Sequence, residues 1–328
     1  MKMALQKFVS DLRLLDSGQI MFRGRPAQQS ATPNADAQLQ LTEMIYKYLY
    51  THPIGDIGDA FRAVPPDEEL IAALIAANNT QPTVQSGWVV RTPQPDGAII
   101  AERFGVTRKF IPGQFMANGG CAPIQAGSEV TAIHLAGSKT VQPGFFHIFG
   151  QAQLDLAELP QIVRLYFNIA APTGAAPLAK YLSTALNAYG IPFTYKTSVR
   201  LCDYSRTDTA VLYLPRRFYE IAAMALGSEI SLIDPLLGDD QPMFTKPLSR
   251  GIGLAEDPAD AVSFGASRSG MIARAIGQTC QDGTICPDAF WSAFQRICDQ
   301  EKLDVRRLHL NPGSRESYDF PQMLDEAI

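Results

Sequence analysis

RLYFN (Arg164–Asn168), PFTYKTSVR (Pro192–Arg200) and DYSRTDTAVLYL (Asp203–Leu214), closed by Arg216 and Arg217, form the stretch on which the fold turns. Side chains alternate between the two faces of a strand. Val163, Leu165, Phe167 and Ile169 therefore share an apolar face, and Arg164, Tyr166 and Asn168 share the other. In the second segment Phe193, Tyr195, Thr197 and Val199 point one way, and Thr194, Lys196, Ser198 and Arg200 the other. Two adjacent strands of this kind would bring Arg164, Tyr166, Asn168, Lys196 and Arg200 onto one surface. Residues 164–217 hold seven Lys/Arg against Asp203 and Asp208, in a chain of formal charge −5. A local basic excess inside an acidic protein suggests an anion site; a solvated sheet face is the competing reading.

The surrounding chain sets the class. Its 328 residues suffice for one large core or two. Hydrophobic content of 46% and charged content of 19% are those of an ordinary globular protein. A pI near 5.4 argues against bulk nucleic-acid binding. No apolar run approaches a membrane span, and the amphipathic N-terminus with Asp11 and Asp16 is a poor secretory signal, so a cytoplasmic protein is expected. The five cysteines (121, 202, 280, 286 and 298) lack CxxC spacing and fit free thiols better than a disulfide frame or zinc site, with a metal or disulfide reading left open for the three between 280 and 298.

Residues 4–16 carry Leu5, Phe8, Leu12 and Leu15 at helical spacing, ended by Gly18. A polar, Pro-containing loop covers 24–36. Helices are expected over about 37–51 and from Pro65-Pro66 to about Asn78, which makes residues 1–80 a helical N-terminal subdomain. From Gly87 the period changes to two, with the PQPDG turn between two strands and further strands in SEVTAIHLAG and PGFFHIFGQ. Helices are expected at about 174–189, 216–226 and 288–301; after Met243 the chain reads either as a loop that places Lys246, Arg250 and Arg268 over a site or as a surface loop ended by a helix at 267–278 capped by Ser263 or Ser267. Strands before and after helices without strict βαβ alternation give an α+β fold: a mixed or antiparallel central sheet flanked by helices. A core domain over 85–300 and an acidic C-terminal tail over 301–328, frayed after 310, complete the expected organisation. The glycines at 251, 253, 265 and 270 match neither a Walker nor a GxGxxG spacing, and no GxSxG elbow supports a serine hydrolase.

RLYFN, ALNAYGIPFTYK, YSRTDTAVLYL, MFTKPLSRGIGLAEDP and SFGASR, with QPGFFHIFG upstream, resemble in sequence and order the HopA-one family of type III effectors. The resemblance covers roughly Gly87 to Arg274. Stand-alone members of that family act in the biosynthesis of ribosomal peptides, including thioamitides and class-five lanthipeptides, beside an aminoglycoside-phosphotransferase-like kinase. The resemblance thus implies a lyase that eliminates phosphate from phosphoserine or phosphothreonine of a leader-bearing precursor peptide, leaving dehydroalanine or dehydrobutyrine. Nothing in the N-terminal part resembles the secretion segment of the effectors, and His147 stands where the family pattern leads one to expect an aromatic residue.

That chemistry needs a base for the α-proton, cations for the phosphate and a group to protonate or stabilise what departs. Side-chain cations can serve, so no metal or cofactor is expected. A lysine base requires nearby positive charge or burial. Lys196, with Arg200 on its strand face, fits that requirement, and Lys246 is the alternative. Arg164, Arg206 and Arg268 are the motif arginines able to grip phosphate. Tyr204 and Tyr166 are candidate proton donors, Asp208 would orient Arg206, and Asn168 would hold the peptide carbonyl. The pair Glu256-Asp257 is expected to order the loop or a basic residue. Two other readings stay open: a non-catalytic module that binds the peptide or the kinase, and an effector directed at a host protein.

Overall fold

The computed structural model describes residues 1–27, 36–52, 64–118, 123–258 and 262–321; Cys121 and most of the 24–36 loop lie outside them. Helix α1 (Lys2–Ser10) buries Leu5, Phe8 and Val9. It is shorter than its spacing suggested. The chain leaves it at Asp11 and forms a small antiparallel sheet of β1 (Leu12–Leu14), β2 (Ile20–Phe22) and β3 (Arg25–Pro26). The reason is non-local: Leu14 N–H finds the Gly283 carbonyl at 3.0 Å, a partner no helix would offer it.

Helix α2 (Ala37–Ile45) starts at Asp36, whose carboxylate accepts from Leu39 N–H. It runs into a π-helical turn, Tyr46–Tyr50. Helix α3 (Glu68–Ala77) has Glu68 and Glu69 at its positive end, as the sequence indicated, but it starts after Pro65-Pro66, with Asp67 as its cap. Strands β4 (Thr83–Pro93), β5 (Ile99–Arg103), β6 (Val106–Phe110), β7 (Phe115–Ala117) and β8 (Glu129–His134) form an antiparallel sheet in the order β6-β5-β4-β8-β7. Trp88, Val90, Ile99, Phe110 and Val130 make its own small core.

The central sheet takes β9 (Gly137–Ser138), β10 (Phe145–Phe149), β11 (Ile162–Phe167), β12 (Thr194–Ser198), β13 (Ala210–Pro215), β14 (Lys246–Ser249) and β15 (Ile252–Glu256). Its order is β14-β15-β11-β13-β12-β10-β9, antiparallel at every pairing. Helices α4 (Ala175–Ala188), α5 (Tyr219–Gly227) and the one-turn α6 (Ile230–Ile233) follow in the chain, then α7 (Phe264–Thr279), the short hairpin of β16 (Cys280–Gln281) and β17 (Thr284–Ile285), and α8 (Pro287–Gln300). The fold is α+β, with helices on both faces of the sheet.

The strand alternation decides the layers. Val163, Leu165 and Phe167 of β11, Tyr195 of β12 and Leu212 of β13 pack with α3, α4 and α5 through Leu74, Leu178, Leu182 and Leu226. Tyr166, Val211 and Ala255 turn to the opposite face and join residues of α1, α2, α7 and α8. The N-terminal helices thus share one core with the C-terminal ones: α1 packs on α8 and α2 on α7. As far as residue 321 the segment after 310 is not frayed. Tyr318 is 1% exposed, stacks edge-on against Tyr219 at 4.9 Å and donates to Glu256 at 2.6 Å.

Candidate functional site

Strands β11 and β12 are not neighbours. Strand β13 lies between them, with Arg164 opposite Tyr213 and Lys196 opposite Val211. This corrects the adjacency expected from sequence and has a chemical effect. The Tyr213 ring sits between the two cations, with Arg164 Cζ at 5.1 Å and Lys196 Nζ at 5.6 Å from its centroid. Phe145 of β10 adds a second ring, 4.9 Å from Lys196 Nζ. A cation over an aromatic face is stabilised by the ring quadrupole without being neutralised. These residues, with Tyr46, Tyr50, Tyr166, Arg206 and Asp208, line a cavity of about 260 Å³.

The three cations differ in their commitments. Arg206, 7% exposed, grips Asp208 with two hydrogen bonds of 2.8 and 2.9 Å. Tyr46 donates to the same carboxylate at 2.8 Å, and Asp203 stands 3.9 Å from Arg206. Burial alone would lift the Asp208 pKa, but the charge and hydrogen bonds of Arg206, with Tyr46, outweigh it and hold the carboxyl below its usual range. Arg164 pairs with Asp257. Burial works against its charge, yet Tyr166, Tyr213 and Asp257 reverse the balance and keep its pKa above the ordinary value. Lys196 donates to Gln142 Oε1 at 3.1 Å and makes no ion pair among the described residues. Among the described residues the lining holds three cations against one carboxylate, Asp208.

The hydroxyls matter as well. Tyr50 and Tyr166 are 2% and 3% exposed, and neither hydroxyl has a hydrogen-bond partner among the described residues. Burial pushes the Tyr166 phenol up to about 12, with Arg164 partly offsetting it, so this group stays protonated at neutral pH.

The other residues singled out in the sequence lie elsewhere. The Tyr204 hydroxyl donates to the Ser198 carbonyl at 2.8 Å, and its ring joins the core on the far face. Lys246 is held by Glu316 at 2.7 Å and by the Tyr318 carbonyl. On α7, Arg268 donates to the carbonyls of Leu308 (2.9 Å) and Leu310 (3.3 Å), binding the C-terminal segment. Arg200 packs over Gly144, so closely that a Cβ there would sit 2.9 Å from its Cζ. Asn168 donates to the Asp240 carbonyl at 2.9 Å. None of these five lines the cavity. The Glu256-Asp257 pair orders basic residues, Arg216 at 3.1 Å and Arg164. Sequence reasoning did not single out Tyr46, Tyr50, Gln142, Phe145, Ser263 or Gly265 for the site. The i, i+4 spacing of Tyr46 and Tyr50 was the one available signal, since it puts both rings on one helical face.

A second cavity of about 870 Å³ lies beyond the first turn of α7. Its cations are internally engaged: Arg216 with Glu256, Arg274 with Glu301 at 2.7 Å, and Arg268 as above. Among the described residues no cluster of His, Cys, Asp or Glu could hold a metal ion, and no helix is long and apolar enough to cross a membrane.

The model of the HopA1 effector protein family, the family of the sequence resemblance, matches residues 136–310, more than half of the chain. Among solved structures the chain is similar to the effector protein from Pseudomonas syringae pv. tomato strain DC3000, with 17% identity and a TM-score of 0.47 over 86% of this chain and 92% of that one. It is also similar to the effector protein from Pseudomonas syringae pv. syringae strain 61, with 15% identity and a TM-score of 0.45 over 82% and 88% of the two chains. No curated protein matches it. The matched segment contains β10 to β13, their ring-flanked cations and α7, and on that match the chain belongs to the HopA1 effector protein family.

Proposed function

We propose that this protein is a lyase that eliminates phosphate from phosphoserine or phosphothreonine in a leader-bearing precursor peptide, after an aminoglycoside-phosphotransferase-like kinase has phosphorylated it. One observation carries the reading. Lys196, which pairs with no carboxylate among the described residues, shares a tyrosine-lined cavity with Arg164 and Arg206 in a chain of charge −5.

In the reaction Lys196, as the neutral amine, takes the α-proton of the phosphorylated residue. The electrons of that C–H bond form the Cα=Cβ double bond, and the Cβ–O bond breaks. Phosphate departs with its bridging oxygen, which takes a proton from Tyr166. Arg164 neutralises the charge that grows on the leaving group, and its pairing with Asp257 holds it in place. Arg206 is anchored by Asp208 and adds a fixed positive field. The Tyr166 phenol, protonated at neutral pH, suits the donor role.

The test is incubation of the kinase-phosphorylated peptide with this protein. Mass spectrometry should record loss of one phosphoric acid per site. Lys196→Gln should lower the rate by at least about 10³-fold with the fold intact by circular dichroism, the scale expected when a proton-transfer group is removed. Phosphate retained on the peptide by active wild-type protein, or full activity of the variant, would refute the assignment.

A further inference from the structure

The cavity has an end that none of the basic side chains supplies. Ser263 and Gly265, in the first turn of α7, belong to its lining. Helix α7 spans 16 residues, so its amino end carries the partial positive charge of a full helix. The Ser263 hydroxyl accepts from Ala266 N–H at 3.2 Å and satisfies that donor. The N–H groups of Phe264 and Gly265 have no acceptor among the described residues. The wall opposite them is aromatic. A Cβ at Gly265 would lie 2.3 Å from Tyr50 Cε1 and 2.7 Å from Tyr46 Cε2, so the backbone there is as close to those rings as a glycine allows. Tyr50 and Tyr166 line the same space, and neither of their buried hydroxyls has a hydrogen-bond partner among the described residues. Unsatisfied donors from a helix terminus and from two side chains thus meet in a cavity whose described lining carries surplus positive charge. A dianion with several acceptor oxygens satisfies all of them at once.

We propose that the amino terminus of α7 is the phosphate-holding end of the cavity, with the N–H group of Gly265 as a ligand beside Lys196 and Arg164. This rests on the elimination reading for its substrate, but the site itself binds inorganic phosphate. It also changes what SFGASR does: Gly265 presents the donor, while Arg268 three residues on fastens the helix to Leu308 and Leu310.

The test is nuclear magnetic resonance on the full chain carrying carbon-13 at phenylalanine carbonyls and nitrogen-15 in glycine. Only Phe-Gly pairs then give signals, and they occur at 104–105, 149–150 and 264–265. Phe104→Leu and Phe149→Leu assign two of them, leaving Gly265. Titration with inorganic phosphate at pH 8 should move the Gly265 amide proton downfield saturably and leave Gly105 and Gly150 in place. Lys196→Gln should weaken that titration about tenfold, the scale of one charge-assisted contact. Phosphate bound by calorimetry without a Gly265 response would overturn the α7 assignment and leave the elimination reading standing. No phosphate binding at all would overturn it too. A Gly265 response in a protein that leaves phosphopeptide unchanged would support this subsite and remove the lyase reading instead.

Discussion

Asp208 and His147 show how single residues set the working range of the site. Asp208 neutralises a guanidinium that is 7% exposed. Asp208→Asn should cost about 3–5 kcal/mol in a urea titration, because the charge stays buried after its bidentate partner is gone. The double replacement Arg206→Met with Asp208→Leu should recover most of that loss, since an apolar pair carries no desolvation penalty. His147 lies opposite Lys196 in register, and burial, with the Lys196 charge, lowers its pKa to about 4. An unfolded histidine titrates near 6.5, so between those values the unfolded chain holds a proton that the native chain does not. Stability therefore falls as pH drops from about 6.5 to 4, on the order of 2–3 kcal/mol from this residue after solvent screening. His147→Asn should flatten the denaturation midpoint across that window; His52 and His134, shifted the same way by burial, leave a residual slope. At this scale period-two reading reached Arg164, Tyr166 and Lys196, because a strand face follows from parity. It did not settle Lys246 or Arg268, whose partners Glu316, Leu308 and Leu310 lie 40 or more residues away in sequence.

At the scale of elements, the most exposed test is a pair of glycines on one helix. Gly265→Ala drives a methyl into the Tyr50 and Tyr46 rings and should cost about 1–3 kcal/mol and most of the activity. Gly270→Ala meets nothing closer than 3.9 Å and should raise stability by about 0.5–1 kcal/mol through helix propensity. Thermal melts of the two variants side by side separate collision from propensity. The helix around 174–189 was legible because Pro177, the apolar spacing and the stop at Gly190 agreed, and that around 288–301 from its apolar spacing. The insertion of β13 between β11 and β12 was not, since strand order depends on pairing between distant segments. The break after α1 escaped for the same reason, since Leu14 N–H finds its acceptor at Gly283.

For the whole molecule, the tail is part of the core. Glu256, 3% exposed, accepts from Tyr318 and from Asn311 N–H at 2.7 Å, and Glu316 holds Lys246. A chain ending at residue 310 should lose about 3–5 kcal/mol and melt well below the full protein; an unchanged midpoint would show the tail to be dispensable. The architecture also sets an order of assembly. The layer over the cation-bearing face is built from the first fifty residues and from α7 and α8, and α1 rests on α8. On a ribosome, at roughly 5–20 residues per second, the sheet is complete several seconds before its second cover exists. During that interval the nascent chain presents Tyr166 and Val211 to solvent, and a chaperone that shields them would be acting on the same surface the finished protein closes over its cavity.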